Sequence, residues 1–253
     1  SIASISISAF SPRSVPLSGA IPVTTGASLS LLMVAPDSSE HSPSFPFLCL
    51  LVSGGNSQII QVNAYNDMEI LGQTIDDAAG EAMDKAARTV GLPYPGGVNL
   101  DKISQNGDEN KYKFPTPHLL TGKYDFSFAG LKTFAVNLVH NASQKGEEVS
   151  AEDLGASFIK TVTDILTKNT MSAAKDLGAT QIVLAGGVSA NSRLRKKMAE
   201  ECEKNGFSLF MPELKYRGDN AAMVGAQGYY EFLSGKRAGM DLNAVASMPI
   251  TEE

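Results

Sequence analysis

The sequence contains little cysteine, and this limits the chemistry that it can support. Of its 253 residues only Cys49 and Cys202 are cysteines, and they lie far apart in the chain. Two distant thiols argue against a disulfide framework and against a Cys-x-x-Cys metal site, and Cys49 lies within an apolar run. The cysteine content fits a protein of a reducing cytoplasm.

Basic residues and long apolar runs are also scarce. The chain has 21 lysines and arginines against 27 aspartates and glutamates, with a net charge of −6 and a pI of about 5.2. Such a surface does not attract phosphate backbones as a whole, so any nucleic-acid contact must be local or shared with partners. Prolines and glycines interrupt the longest weakly charged stretch, residues 14–36, so no membrane span is predicted. No secretory signal is predicted either.

What the sequence does contain is the composition of a globular protein. Hydrophobic residues make up 43% of the chain, and its length allows one large domain or two lobes. Residues 1–44 differ from the rest, because serine recurs in them and Arg13 is the only charged residue before Asp37. We interpret residues 1–44 as an irregular, serine-rich remnant of a first lobe, from a misread or truncated coding region. A flexible leader is the alternative.

From Phe45 onward the pattern alternates between strands and helices. Apolar runs next to glycine turns predict strands, and apolar residues at helical spacing predict helices. The predicted strands are 47–52, 58–62, 68–74, 181–185 and 207–211, and the predicted helices are 76–90, 99–105, 131–142, 151–176, 189–204 and 220–233. The sequence therefore indicates an α/β region over 45–253, with a helical insertion at about 96–176.

Two glycine turns follow predicted buried strands. The first comprises Leu51, Val52, Ser53, Gly54 and Gly55. Its backbone N–H groups can face a phosphate without obstruction, but a plain hairpin turn explains an isolated motif better. The second turn, residues 185–191, leads into a helix whose amino end favours an anion. Asn191 either bonds a purine or ribose edge or caps that helix, and Ser189 is the other candidate cap.

Carboxylates gather at two further places. Asp77, Glu81 and Asp84 have the spacing i, i+4 and i+7, which places them on one face of the predicted helix 76–90. They either attract a cation or a polyhydroxyl ligand, or form a solvated acidic turn partly neutralised by Lys85. Asp219 precedes the last predicted helix, where it can cap the helix or bind a metal. Residue type alone favours capping.

Six short motifs, taken in order, are more informative than any one of them. They are SGGNSQ, TIDDAAGEAMDK, YPGG, FSFAGLKTF, AGGVSANSRLR and GDNAAM. In this order they resemble the signatures of the tRNA threonylcarbamoyladenosine transferase family, from about Phe45 to the carboxyl end. The resemblance implies an actin-, Hsp70- and sugar-kinase-like α/β fold with two lobes, of which the second is largely intact and the first incomplete.

The resemblance also implies a reaction. In that family, threonylcarbamoyl adenylate donates its threonylcarbamoyl group to N6 of adenosine 37 in tRNAs that read codons beginning with A. ATP or this adenylate is then the expected nucleotide ligand. The expected partners are tRNA, an inactive paralogue subunit and a small ATPase subunit, without a membrane.

Family roles can be carried onto matching positions of this chain. The phosphate region of the adenylate would lie at residues 51–55, and its other polar groups would meet Asp84, Gly97 and Asp101. Asn191 would lie beside the nucleotide. No separate catalytic residue is assigned.

A metal site is implied as well, but its histidines are missing. Asp219 matches the family's carboxylate ligand to one iron or zinc ion, which two histidines four residues apart complete. The histidines of this chain are His41, His118 and His140, and no two of them have that spacing. We therefore expect Asp219 alone to bind a metal weakly.

Several functions compete on this evidence. A transferase is the leading hypothesis, and a catalytically impaired nucleotide-binding scaffold of the same complex is the second. A metallopeptidase ranks third because the chain has no His-Glu-x-x-His, and a sugar kinase ranks last because no sugar-side base is evident. For tRNA, the densest basic cluster either touches phosphates or forms a solvated helix face, and it comprises Arg193, Arg195, Lys196 and Lys197.

Overall fold

A computed structural model describes residues 43–117, 119, 121–214, 221–240 and 243. The strands in these ranges are β1 (Phe47–Val52), β2 (Ser57–Ala64), β3 (Asp67–Gln73), β4 (Gln181–Ala185) and β5 (Ser208–Phe210). The α-helices there are α1 (Ala79–Thr89), α2 (Gly96–Ser104), α3 (Ala129–Lys145), α4 (Ala151–Leu177), α5 (Ser192–Asn205) and α6 (Ala221–Leu233). A 3₁₀ helix, Gly187–Ala190, precedes α5. None of the described helices is long and apolar enough to span a membrane.

The strands form one mixed sheet in the order β3-β2-β1-β4-β5. Strands β1, β2 and β3 pair antiparallel as a meander, whereas β1 with β4 and β4 with β5 are parallel pairs. In the β1–β4 pair Leu51 lies opposite Ala185, close to the last residue of each strand. The chain therefore leaves β1 and β4 at the same edge, and the two glycine turns are neighbours.

Strand β1 lies at the centre of the sheet because every one of its residues is apolar. Leu48, Leu50 and Val52 belong to the larger core cluster, which includes residues of α1, α2, α4 and α5. Phe47, Cys49 and Leu51 point to the opposite face, into a smaller cluster with Ile60 and Val183. A continuous apolar strand covered on both faces is typical of parallel pairing in α/β proteins.

The long helix α4 has clear sequence signals at both ends. The hydroxyl of Ser150 accepts a hydrogen bond from the Asp153 N–H at 3.1 Å, as the predicted capping pattern requires. The helix ends at Gly178, whose φ of +64° is readily adopted by glycine. Fifteen buried residues along α4 pack it against the core, so its start and its length were both predictable.

Two predicted helix starts are wrong. Helix α1 begins at Ala79 and not at residue 76, because Asp76 accepts hydrogen bonds from the N–H groups of Phe128 (2.8 Å) and Ala129 (3.3 Å) at the start of α3. Asp77 therefore precedes α1, and the predicted single helix face shared by Asp77, Glu81 and Asp84 is wrong. The predicted helix 189–204 is divided into the 3₁₀ helix and α5, with Asn191 as the cap.

The proposed domain boundary falls largely outside the described residues. Of residues 1–44, the structure describes only Pro43 and Ser44. His41, His118, Arg217 and Asp219 also lie outside the described ranges. The α/β class and the predicted order of strands and helices from Phe47 to Leu233 are confirmed.

Candidate functional site

The turn after β1 is stabilised by Ser53 and open above its glycines. The Ser53 N–H donates to the Asn56 carbonyl at 2.7 Å, and its hydroxyl accepts from the N–H groups of Asn56 (2.9 Å) and Gly55 (3.3 Å). Gly54 and Gly55 are exposed, and a Cβ atom built at either would have no neighbour within 4 Å. The turn is thus the predicted hairpin turn, and it also leaves space for a ligand.

The turn after β4 requires glycine at one position. Gly186 has φ +88° and ψ 169°, and a Cβ atom there would lie 2.3 Å from the Val52 carbonyl oxygen. Only glycine combines this conformation with so close an approach of two strands. At Gly187 the added atom would again meet nothing within 4 Å. The β4 turn therefore packs against the end of β1 and remains open on its ligand side.

The amino end of α1 is fixed beside these turns. The buried hydroxyl of Ser57 accepts a hydrogen bond from the Ala79 N–H at 2.9 Å. The Gly80 N–H donates to the Ser53 carbonyl at 3.2 Å, and a Cβ atom at Gly80 would lie 2.7 Å from that oxygen. Glycine inside a helix normally costs stability, so Gly80 is explained by this contact. The positive end of the α1 dipole is thus held close to the first turn.

Asp84 connects α1 to α2. Its Oδ1 accepts a hydrogen bond from the Gly97 N–H at 2.7 Å. Gly96 allows this approach, since a Cβ atom there would lie 2.8 Å from the Ala87 Cβ and 2.9 Å from the Asp84 Cα. The two predicted ligand residues Asp84 and Gly97 are therefore in direct contact.

Asp101 connects α2 to the amino end of α5. Its carboxylate accepts hydrogen bonds from the Asn191 side-chain amide (3.0 Å), the Ser192 N–H (3.0 Å) and the Ser192 hydroxyl (2.8 Å). Asn191 in turn accepts from the Leu194 N–H at 2.9 Å, so it is the cap of α5. The structure therefore brings Asp101 and Asn191 together as well.

The acidic residues near α1 are neutralised by lysines. Asp77 lies 2.9 Å from the Lys85 ammonium and 2.8 Å from that of Lys132, and Glu81 lies 2.8 Å from Lys85. Burial acts to raise the pKa of Asp77, but hydrogen bonds and charge from Lys132 and Lys85 outweigh it, so its pKa lies below the ordinary value. These carboxylates serve an ion-pair network, and they are not an open cation site.

The described residues do not supply the implied metal site. Within the described ranges, no group of three or more histidine, cysteine, aspartate or glutamate residues could hold a metal ion. Asp219, the predicted ligand, lies outside those ranges, so its role stays a prediction. The donor set seen here does not fit a family metal site, and no chemical step below depends on a metal.

Most of the predicted basic cluster is paired within the chain. Arg193 pairs with Glu109, and Lys197 pairs with Asp164. Arg195 donates to the carbonyl oxygens of Ser189 and Pro212 at 3.3 and 3.5 Å. Lys196 is 78% exposed and lies 3.9 Å from Glu200. The cluster therefore offers fewer free charges to phosphates than its sequence indicates.

The structure places the predicted ligand residues around one edge of the sheet. The turns after β1 and β4 are neighbours, α1 starts beside the first turn, and two contacts join its neighbours: Asp84 with Gly97, and Asp101 with Asn191. Sequence reasoning missed Ser57, Gly80 and Gly186. Gly80 had a visible signal, because glycine is unusual inside a helix. This arrangement of open glycine turns next to a helix amino end is suited to phosphate binding.

Comparison with known proteins gives a family match over most of the chain. The model of the family TsaD, tRNA N6-adenosine threonylcarbamoyltransferase, matches residues 6–226, so it begins upstream of Phe45. A tRNA N6-adenosine threonylcarbamoyltransferase of Clostridium botulinum (strain 657 / Type Ba4) is 44% identical over 207 residues, which cover 82% of this chain and 61% of the relative. One of Listeria welshimeri is 48% identical over 202 residues, covering 79% of this chain and 58% of the relative. The chain thus spans about three fifths of the length of these relatives.

Two solved structures share the fold. Full-length HypF in its phosphate- and nucleotide-bound form matches with a TM-score of 0.59 at 12% identity, over 82% of this chain and 35% of that one. HypF of T. kodakarensis matches with a TM-score of 0.56 at 16% identity, over 83% and 36%. At these identities the likeness shows the fold alone. It agrees with the actin-, Hsp70- and sugar-kinase-like fold class expected from the sequence.

Proposed function

Because this chain belongs to the tRNA N6-adenosine threonylcarbamoyltransferase family, we propose that it forms the nucleotide-holding part of such a transferase. The reaction is the transfer of the threonylcarbamoyl group from threonylcarbamoyl adenylate to N6 of adenosine 37 in tRNAs that read codons beginning with A. The chain spans about three fifths of its relatives, so the activity, substrates and partners of the whole protein are part of this proposal. One observation carries it: the open glycine turns after β1 and β4, side by side at the start of α1.

The turns suit the phosphate of the adenylate. Backbone N–H groups and the positive end of α1 favour an anion, and the absence of side chains at Gly54, Gly55 and Gly187 leaves room for it. The HypF structure with the same fold was solved with phosphate and nucleotide bound, which supports this placement. Asp84 and Asp101 then lie where they can meet the remaining polar groups of the donor.

The same groups assist the transfer itself. The adenine N6 attacks the carbamoyl carbonyl carbon, a new N–C bond forms, the C–O bond to the phosphate breaks, and one N6 proton is released. The leaving group is AMP, whose phosphate gains negative charge as that bond breaks. Hydrogen-bond donors that already point at the phosphate stabilise this charge in the transition state. The protein thus contributes orientation and leaving-group stabilisation.

Substitution of the open glycines tests this placement. Gly54→Val and Gly187→Val add side chains into open space, so they should leave the fold intact and block the phosphate. We expect each to weaken ATP binding at least about tenfold, or about 1.4 kcal/mol, in titration calorimetry. Gly130→Val is the matched control, because its Cβ atom is equally unobstructed on α3. Unchanged affinity in both turn variants would contradict the proposed phosphate position.

A scaffold role is the second candidate, favoured by the missing histidine pair. A nucleotide-binding subunit without turnover would bind ATP through the same turns but transfer nothing. The discriminating measurement supplies the chain with tRNA and synthesised threonylcarbamoyl adenylate, and follows radiolabelled threonine into the tRNA. Incorporation above a tRNA-only control supports the transferase. ATP binding without incorporation supports the scaffold.

The remaining proposals concern partners and metal. We propose tRNA, an inactive paralogue and a small ATPase as partners, with the cytoplasm as the location. We also propose Asp219 as a ligand to iron or zinc. Elemental analysis of the purified chain and of Asp219→Ala tests the metal, since equal metal content in both would remove Asp219 from that role. Co-purification with each candidate subunit tests the partners.

A further inference from the structure

Helix α6 has its polar residues on the inside. Glu231 is the only charged residue between Ala221 and Leu233, yet it is 4% exposed, and Gln227 is 3% exposed. Together with buried Met223 they lie on one side of the helix at a spacing of four residues. The opposite side contains Ala221, Gly225, Gly228 and Phe232. This is the reverse of the usual pattern, in which the charged face of a helix meets water.

The inner side of α6 is held by the turn between β2 and β3. The rings of Tyr65 and Tyr230 stack with centroids 3.5 Å apart and an interplanar angle of 7°. The Asn66 side-chain amide donates to the Tyr230 carbonyl at 3.1 Å, and Gln227 donates to Glu231 at 2.9 Å. These contacts fix the rotation of α6, so its apolar side must face outward.

The outer side of α6 extends between two exposed apolar residues. Val224 is 38% exposed at one edge and Leu233 is 60% exposed at the other. At Gly225, between them, an added Cβ atom would meet nothing within 4 Å. Near the carboxyl end, the Arg237 guanidinium stacks on Phe232 at 3.6 Å from the ring centroid. An uncharged helix side of this kind is typical of a surface that another segment covers.

We propose that residues 6–42 of this chain cover the outer side of α6. The family match begins at residue 6, so this stretch belongs to the same family unit as α6. The described chain begins beside α6, because Phe45 makes an edge contact with Tyr65 (4.8 Å, 81°), and Tyr65 stacks on α6. The stretch also has matching chemistry: Arg13 is its only charge before Asp37, and residues 29–34 are largely apolar. This inference does not depend on the proposed function.

Photo-crosslinking in the full chain tests this inference. Gly225→Cys introduces an exposed thiol, whereas native Cys49 and Cys202 are 0% and 1% exposed and will not react in the folded protein. The new thiol is labelled with a benzophenone maleimide and irradiated, and chymotryptic peptides are mapped by mass spectrometry. We expect most crosslinked peptides to come from residues 6–42, within one chain.

Gly130→Cys on α3 is the matched control, being another exposed helix glycine with open space around its Cβ atom. It should give few crosslinks to residues 6–42. Crosslinks of Gly225→Cys to a second copy, to residues 244–253 or only to solvent would overturn the proposal. If Gly225→Cys does not fold, Val224→Cys provides the same readout from the edge of the surface.

Discussion

The carboxylate of Asp101 lies 3.0 Å from the side-chain amide of Asn191, which follows it by 90 positions. Asn191 also caps α5, so one asparagine fixes the helix start and connects it to α2. Asp101 therefore determines where Asn191 points before any ligand arrives. Both were expected at the nucleotide site from the resemblance, and their direct contact could not be foreseen from that resemblance.

We expect Asp101→Ala to destabilise the fold and weaken nucleotide binding together. Three hydrogen bonds to a charged acceptor are lost, and the free energy of unfolding should fall by about 2 kcal/mol in urea titrations. ATP affinity, measured on the folded protein, should fall as Asn191 loses its orientation. Asp67→Ala, at the exposed start of β3, is the control and should change neither. A stable variant with normal affinity would show that Asp101 does not position Asn191.

Gly186 and Gly187 should respond in opposite ways to alanine. Gly186→Ala places a Cβ atom against the Val52 carbonyl in a conformation that is essentially restricted to glycine, so we expect a loss of about 3 kcal/mol or more. Gly187→Ala meets no neighbour and should keep the melting temperature within a few degrees. Thermal unfolding followed by circular dichroism compares them. Similar melting temperatures for the two variants would contradict the close contact between β4 and β1.

Asp77 should make stability depend on acid. Its pKa is lower in the folded protein than the value of about 3.9 expected when unfolded. The ion pairs with Lys85 and Lys132 therefore stabilise the fold above that value, and their contribution disappears as pH falls through the folded pKa. Asp77→Asn should lower the free energy of unfolding by about 2 kcal/mol near neutral pH. The difference from the parent chain should shrink towards pH 3, and a constant difference would rule out this linkage.

Asp76 should act on α3, although it lies next to α1 in sequence. Asp76→Ala removes the acceptor for the Phe128 and Ala129 N–H groups, and we expect a cost of about 1 kcal/mol, as for other lost helix caps. Hydrogen exchange should show earlier opening at the start of α3 and unchanged protection in α1. Faster exchange confined to α1 would instead restore the capping role first predicted for this residue.

Local patterns predicted most of the secondary structure and one cap. The apolar run 47–52 and the Ser150 capping pattern specify β1 and α4 because each depends only on near neighbours. Asn191 was one of two candidate caps for the same reason. Asp76 was misassigned because its partners lie about 52 positions away, a distance that no local spacing encodes.

The candidate site was only partly predictable. The glycine turns were visible as motifs, and the β1–β4 pairing that joins them is a long-range feature. Ser57 carried no signal at all, since an isolated serine within a strand gives no hint that it will hold the first turn of a helix 22 positions later. The paired state of Arg193 and Lys197 was likewise hidden, because Glu109 and Asp164 come from other parts of the chain.

The stacked rings of Tyr65 and Tyr230 have a spectroscopic consequence. The chain contains no tryptophan and only seven tyrosines, so its aromatic signals are not dominated by an indole. Two phenol rings in close parallel contact couple their electronic transitions, which should give a near-ultraviolet circular dichroism band that neither ring shows alone. Separation of α6 from the hairpin would abolish that band, so the native chain carries its own optical reporter of whether this helix is attached.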